Sequence, residues 1–267
     1  MGHRIGRWVA EHWVMAVALL VLLYLFLPIA VVAGLSFNQP SSRLSYDFNR
    51  FTVDNWTNVC GPAGLCDAVL RSVQIAFVAT VLATILGTLM AFALVRHRFF
   101  GRSATNLLIF LPMATPELVM GTSLLSLFVA GTVALGFWTI VVAHVMFCIS
   151  FVVVTVKARL AGMDARLEEA AMDLYANPFQ TFRRVTLPLV LPGIVAAALL
   201  AFSLSFDDFI ITNFNSGSTV TFPMYVWGAN QRGVPPQVNV IGTAMFAIAL
   251  LLVLATTVRR RRTARLT

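Results

Sequence analysis

Lysine occurs once in this chain, at Lys157 directly after Val156, and that scarcity removes a class of activity. A phosphate-cradling loop of the G-x-x-x-x-G-K-[ST] type needs its lysine after a glycine. The chain therefore has no Walker site of its own through which to draw energy from a nucleotide. Histidine is nearly as sparse: His3, His12, His97 and His144 are scattered, and neither H-E-x-x-H nor G-x-S-x-G occurs, which leaves a hydrolase without support. His144, alone in an apolar run, reads as a packed or hydrogen-bonded helix residue. The Cys and His spacings form no metal site, and no cofactor is expected. Charge is scarce too, at 11% of residues, where soluble domains carry about 25%. Internal repeats and low-complexity tracts are lacking.

What is present is apolar. Hydrophobic residues make up 59% of the chain and the mean hydropathy is +0.85, the composition of a polytopic membrane protein. Stretches long enough to cross a hydrocarbon core of roughly 30 Å fall near 13–36, 69–95, 105–130, 133–156, 189–212 and 238–258. The fold expected is an all-α membrane protein with six transmembrane helices, forming a single transmembrane domain over 1–267. The first run exceeds a signal-peptide core and lacks a clear cleavage site, so it reads as a retained helix. Pro112 and Pro116 lie inside the third stretch, which should be kinked or broken there, because proline removes a backbone donor and clashes with the preceding turn.

The distribution of positive charge predicts orientation. With the N-terminus inside, the inner segments hold Arg4, Arg7, Arg96, Arg98, Arg102, Lys157, Arg159, Arg166, Arg183, Arg184, Arg259 to Arg262 and Arg265. The outer ones hold Arg43, Arg50, Arg71 and Arg232. The positive-inside rule then puts both termini and the 157–188 loop in the cytoplasm. This asymmetry also accounts for the net charge of +8. The run at 259–262 reads as a stop-transfer anchor beside membrane lipid, with no nucleic-acid partner. In the predicted outer loop, Cys60 and Cys66 frame CGPAGLC, where a disulfide is permitted and two free thiols are the alternative. Cys148 lies in an apolar helix and reads as packing.

The longest polar interruption is 157–188, KARLAGMDARLEEAAMDLYANPFQTFRRVTLP. Over 164–176 it has a helical pattern: Leu167, Ala170, Ala171 and Leu174 share one face, with Asp164, Arg166, Glu168, Glu169 and Asp173 on the polar ones. Asn177-Pro178 is an N-cap followed by proline at the first helical position. A second short helix should run from there to about Val185 and end at Leu187-Pro188. Two short helices at an angle would expose Phe179, Phe182, Leu174 and Tyr175 on the membrane surface, a shape suited to a cleft on a soluble partner.

Glu169-Ala170-Ala171, with the spacing to Val185-x-Leu187-Pro188, resembles the EAA loop of the binding-protein-dependent (MetI-like) ABC importer permeases. The resemblance implies that this loop, between the fourth and fifth spans, is a coupling helix docking into a cytoplasmic ATPase. Its docking residues would be Glu168, Glu169, Ala170, Ala171, Asp173, Leu174, Tyr175, Asn177, Pro178 and Phe179. One position departs from the family, which usually has glycine where this chain has Tyr175. Glycine permits a left-handed turn; another residue there costs about 1–2 kcal/mol. Either the turn is reshaped, with Asn177 taking some of the strain, or a partner pocket receives the ring.

Acids in or at the ends of spans point to a pathway, since a charge at mid-bilayer costs about 2.5–3.5 kcal/mol even on the lenient scale. Glu117, Asp207 and Asp208 are so placed, while the lysine and arginines lie near or beyond the span ends, and an acid-only interior calls for a cationic partner. Glu117 follows Pro116, where freed carbonyls can face a cavity. Asp207 and Asp208 sit about 100° apart on a helix and cannot both face that cavity squarely; helix capping is the other reading for them. LPMATPELVMG at 111–121, LSFDDFIITNF at 204–214 and FPMYVWGANQRGVPPQVNVIGT at 222–243 look like segments of spermidine/putrescine permeases. That resemblance implies a polyamine cargo, held by carboxylates and by the rings of Trp56, Phe206, Tyr225 and Trp227. For Trp56 and Trp227 an interfacial belt is the alternative. It also implies a second homologous permease subunit, an ATPase dimer and an extracytoplasmic binding protein delivering substrate to the outer loops 37–68 and 213–237. The setting would be a bacterial inner membrane. Other cargoes of the same class are an aminophosphonate, a ferric ion or a cationic amino acid. A membrane scaffold lies outside that class, but has no need of buried carboxylates.

Overall fold

The computed structural model describes residues 2–42, 44–45, 47–164 and 166–263, with side chains from 12 to 252 and at 254 within those ranges. Arg43, Ala165 and Arg265 lie outside the described residues, as do the side chains of Arg4, Arg7 and Arg259 to Arg262. Contacts divide the chain into two compact units, residues 1–66 with 226–267, and residues 67–225.

In chain order the elements are α1 (Gly2–Ser36), β1 (Asn38–Gln39), β2 (Arg50–Phe51), α2 (Asp54–Thr57), α3 (Leu65–Arg96), α4 (Arg102–Ala114), α5 (Glu117–Ala130) and α6 (Phe137–Ala161). Then come α7 (Arg166–Asp173), α8 (Pro178–Thr181), a π-helical turn (Phe182–Thr186), α9 (Leu187–Asp207), α10 (Ile210–Asn215), α11 (Phe222–Asn230) and α12 (Pro236–Thr263).

The first unit pairs α1 with α12, where Phe26 meets Phe246 edge-on at 6.0 Å. A small folded piece follows α1. β1 and β2 pair antiparallel with Asn38 opposite Phe51. Asn55 is buried and its amide donates to the carbonyls of Ser36 (3.1 Å) and Asn38 (2.9 Å), tying α2 to the end of α1. Asp47 accepts hydrogen bonds from Ser45 and Ser41, which hold its carboxyl below the usual range. A disulfide joins Cys60 to Cys66, with Cα atoms 5.3 Å apart.

The second unit is organised around α6, which is 61% buried along its most apolar window, against 33% for α3 and 22% for the helix that ends in α9. Ala143, Phe147, Cys148, Val152 and Val156 of α6 pack with Ala83 and Ala91 of α3, Leu124 of α5 and Ala197 and Ala201 of α9. The fit of α3 is close: a Cβ on Gly87 would lie 2.7 Å from Val152 Cγ1.

Four helices are long and apolar enough to cross a membrane among the described residues, and five if the bent pair α4–α5 is one span. α12 contributes the shorter apolar stretch Pro236–Leu252. The expected break in the third stretch is there: α4 and α5 meet at 106°. It falls at Pro116 rather than Pro112, because Thr115, the residue before proline, is driven extended (φ −81°, ψ 131°). Pro112 stays inside α4.

Three expectations need correction. The fifth stretch does not run on to 212: α9 ends at Asp207, Asp208 is extended (ψ 122°), and α10 begins at Ile210. The second helix of the loop does not end at Leu187-Pro188 either. The chain passes through the π-turn directly into α9, giving one helix from Pro178 to Asp207. The wider π hydrogen-bonding pattern leaves room for a proline whose N–H is missing, so Pro188 is carried without a stop. The 213–237 segment, expected to be an outer loop, contains α11.

Candidate functional site

Two sites emerge in the second unit. The first is the pair of breaks, α4–α5 and α9–α10. α10 packs along α5: Gly121 admits the Ile211 backbone, and Asn215 donates its amide to the carbonyls of Gly121 (3.3 Å) and Ile211 (2.8 Å). Asp208 is buried and caps α10, accepting from the Thr212 N–H at 2.7 Å, the Thr212 hydroxyl at 2.8 Å and the Ile211 N–H at 3.4 Å. His144 of α6 completes this network. Its Nδ1 lies 2.7 Å from Ser205 Oγ, and its Nε2 lies 2.9 Å from Thr212 Oγ1 and 3.2 Å from Asp208 Oδ2.

The three acids therefore part company. Asp208 is enclosed with His144, whereas Glu117, the first residue of α5, and Asp207, the last of α9, are left uncovered by this chain. Glu117 is within electrostatic reach of both aspartates. No arginine or lysine pairs with Glu117 or Asp207 among the described residues. His144 was missed as Asp208's partner because 64 residues separate them in sequence; its placement in an apolar run was the available signal.

Phe206 is buried; it stacks with Phe202 at 6.2 Å and lies tilted against Phe222 at 6.0 Å. Tyr225, in α11, is half-buried. In the first unit, Trp56 stacks on Phe37 at 5.3 Å and donates its indole N–H to Ser36 Oγ at 3.3 Å, so its ring is engaged within its own unit. Trp227 is largely exposed.

The second site is the loop. α7 buries none of its residues. It ends in a Schellman motif: the Tyr175 N–H donates to the Met172 carbonyl at 2.9 Å and the Ala176 N–H to the Ala171 carbonyl at 3.1 Å. Tyr175 occupies the left-handed position itself, with φ +62°. The turn is thus not reshaped, and Asn177, extended at φ −72° and ψ 163°, takes none of the strain. Asn177 instead closes a capping box, accepting from the Gln180 N–H at 2.8 Å while Gln180 Oε1 accepts from the Asn177 N–H at 3.1 Å.

Leu174, Tyr175 and Phe179 are exposed, Tyr175 98% so. Glu169, Ala170, Asp173 and Pro178 are exposed as well, and Ala171 is half-buried. Glu168 differs from its neighbour: its carboxylate turns inward and accepts from Arg96 of α3 at 2.9 Å and from the Thr186 hydroxyl at 2.7 Å. Phe182 packs edge-on against Phe92 at 5.5 Å, leaving it only partly exposed.

Comparison with known proteins bears on both sites. Residues 83–263 match the family model described as binding-protein-dependent transport system inner membrane component. The chain is 40% identical over 231 residues to the spermidine/putrescine transport system permease protein PotC of Haemophilus influenzae, covering 86% of this chain and 89% of that protein. It is 38% identical over 244 residues to the putrescine transport system permease protein PotI of Escherichia coli, covering 88% and 86% respectively. Its fold is similar to a chain in the crystal structure of a bacterial ABC transporter involved in the import of the acidic polysaccharide alginate, with a TM-score of 0.63, 17% identity and coverage of 94% and 96%. The chain belongs to the family of binding-protein-dependent transport system inner membrane components, a family of membrane transport subunits rather than enzymes.

Proposed function

We propose that this chain is the permease subunit of an ATP-driven ABC importer that carries a polyamine, spermidine or putrescine, into the cytoplasm. The observation that carries the reading is the pair of uncovered carboxylates, Glu117 and Asp207, set at helix breaks in an apolar bundle with no arginine or lysine paired with them among the described residues. Carboxylates are rarely kept in such surroundings without a cationic partner, and a flexible polycation supplies one. The names of the relatives 40% and 38% identical to it support the same cargo.

In this reading the whole of 1–267 is one permease domain with six spans, α4–α5 and α12 among them, and both termini cytoplasmic. A second permease subunit completes the pathway. Two ATPase subunits bind on the cytoplasmic side, one of them on the 165–185 element through Glu169, Ala170, Leu174, Tyr175 and Phe179. An extracytoplasmic binding protein delivers substrate to the outer segments. Closure of the ATPase dimer drives the loop and opens the bundle outward, and the subunit performs no covalent chemistry. The test is uptake of labelled spermidine in cells lacking this chain, with and without its restoration. Restored, energy-dependent uptake is expected; equal uptake in both removes the polyamine.

A further inference from the structure

We propose that Arg96 is a positioning residue of the transport cycle: with Glu168 and Thr186 it forms a clamp that fixes α7 to the ends of α3 and α9, so that all three move as one body. The proposal rests on the importer reading above, but the clamp itself belongs to this chain alone.

α7 needs such a fastening. It has eight residues and buries none of them, and a helix shorter than about 12–15 residues is marginal by itself. Apolar burial cannot hold it, so directional bonds must. Glu168 Oε1 receives two of them, from the Arg96 guanidinium at 2.9 Å and the Thr186 hydroxyl at 2.7 Å, across 72 and 18 residues of sequence. The Arg96 and Glu168 side chains are only 27% and 19% exposed, which sets them apart from freely hydrated surface pairs worth little. Thr186 is buried at the last position of the π-turn. One turn before Arg96, Phe92 meets Phe182 of the same π-turn, so an apolar contact backs the polar one.

Consecutive helix positions point about 100° apart, and here that divides two acids by task. Glu169 faces outward, where a partner can reach it, while Glu168 faces inward and holds the segment to the bundle. A push on α7 therefore reaches α3 through the guanidinium and α9 through the hydroxyl. Without the clamp, α7 would give way around the 174–177 turn, and the push would be dissipated.

The test uses the full chain assembled with its partner permease, ATPase and binding protein in liposomes. Two readouts are taken: hydrogen exchange at the α7 amides, and ATP hydrolysed per spermidine imported. Arg96→Gln and Glu168→Gln should each raise α7 exchange about tenfold, as expected for losing a charge-assisted hydrogen bond. They should also raise the ATP-to-spermidine ratio several-fold while the ATPase still co-purifies. The double swap Arg96→Glu with Glu168→Arg should bring both readouts back toward wild type, which a merely structural defect would not do. Unchanged α7 exchange in both single variants overturns the clamp. Loosened α7 with an unchanged ratio overturns its role in transmission. If the wild-type assembly imports no spermidine, the cargo reading falls, and the exchange readout still decides whether Arg96 positions α7.

Discussion

Replacing Tyr175 with glycine isolates the strain in the α7–α8 turn. Tyr175 holds φ +62° and is 98% exposed, so the substitution removes left-handed strain while sacrificing almost no packing. A non-glycine residue in that conformation costs about 1–2 kcal/mol. Glycine returns part of this, since its unfolded chain has more freedom to lose, by about 0.5–1 kcal/mol. The net expectation is a turn more stable by about 0.5–1 kcal/mol, or about a two- to five-fold slower opening. The reporter is hydrogen exchange at Ala176, whose N–H donates to the Ala171 carbonyl across the turn. After correction for intrinsic rates, exchange should slow in Tyr175→Gly and stay near wild type in Tyr175→Ala, because alanine keeps the Cβ that causes the strain. Faster or unchanged exchange in the glycine variant would refute the argument. ATPase binding reads the ring separately: its loss in both variants means that a partner recognises the ring, and its retention in both means that only the turn matters.

Glu117→Gln should lower spermidine uptake, chiefly through a higher KM, while the assembly still forms; unchanged uptake kinetics would take Glu117 out of the pathway. His144→Ala strips Asp208, Ser205 and Thr212 of a buried partner and should destabilise the chain by about 2–4 kcal/mol, read as a lower Tm in detergent. A melting curve like the wild type's would mean that the network does not fix the α9–α10 break. Gly87→Ala places a Cβ 2.7 Å from Val152 Cγ1; about 1–3 kcal/mol of overpacking is expected, and an unshifted Tm would contradict the close approach of α3 and α6.

The long apolar runs were legible because span length is fixed by the bilayer, and the third was legible as broken because proline acts locally. The break after Asp207 carries no such mark. Glycine and proline are absent from Phe206-Asp207-Asp208-Phe209, and the break is fixed instead by Asp208 capping α10 and by His144 on another helix. The π-turn was hidden for the opposite reason: Leu187-Pro188 looks like a stop, yet a local change of hydrogen-bond register absorbs the proline. Glu168 and Glu169 are the same residue type on one amphipathic pattern, and only a contact 72 residues away separates the anchor from the exposed acid. The left-handed turn was foreseeable from the place of Tyr175 in the loop, though its own side chain argues against it.

Joining the loop's second helix to α9 without a stop makes one continuous rod of residues 178–207, about 45 Å long at 1.5 Å per residue. Arg159 lies across this rod near its middle: its chain covers Gly193 so closely that a Cβ there would meet its Cγ at 2.7 Å, and its Nε donates to the Leu189 carbonyl at 3.0 Å. That contact is a natural fulcrum. With about 21 Å of helix between Gly193 and Asp207, a tilt of about 5° at the pivot sweeps the aspartate sideways by about 2 Å. A displacement of that size is comparable to the difference between an ion pair in contact and one parted by water. In the importer proposed above, a small rocking of this helix is therefore enough to part Asp207 from a cation paired with it.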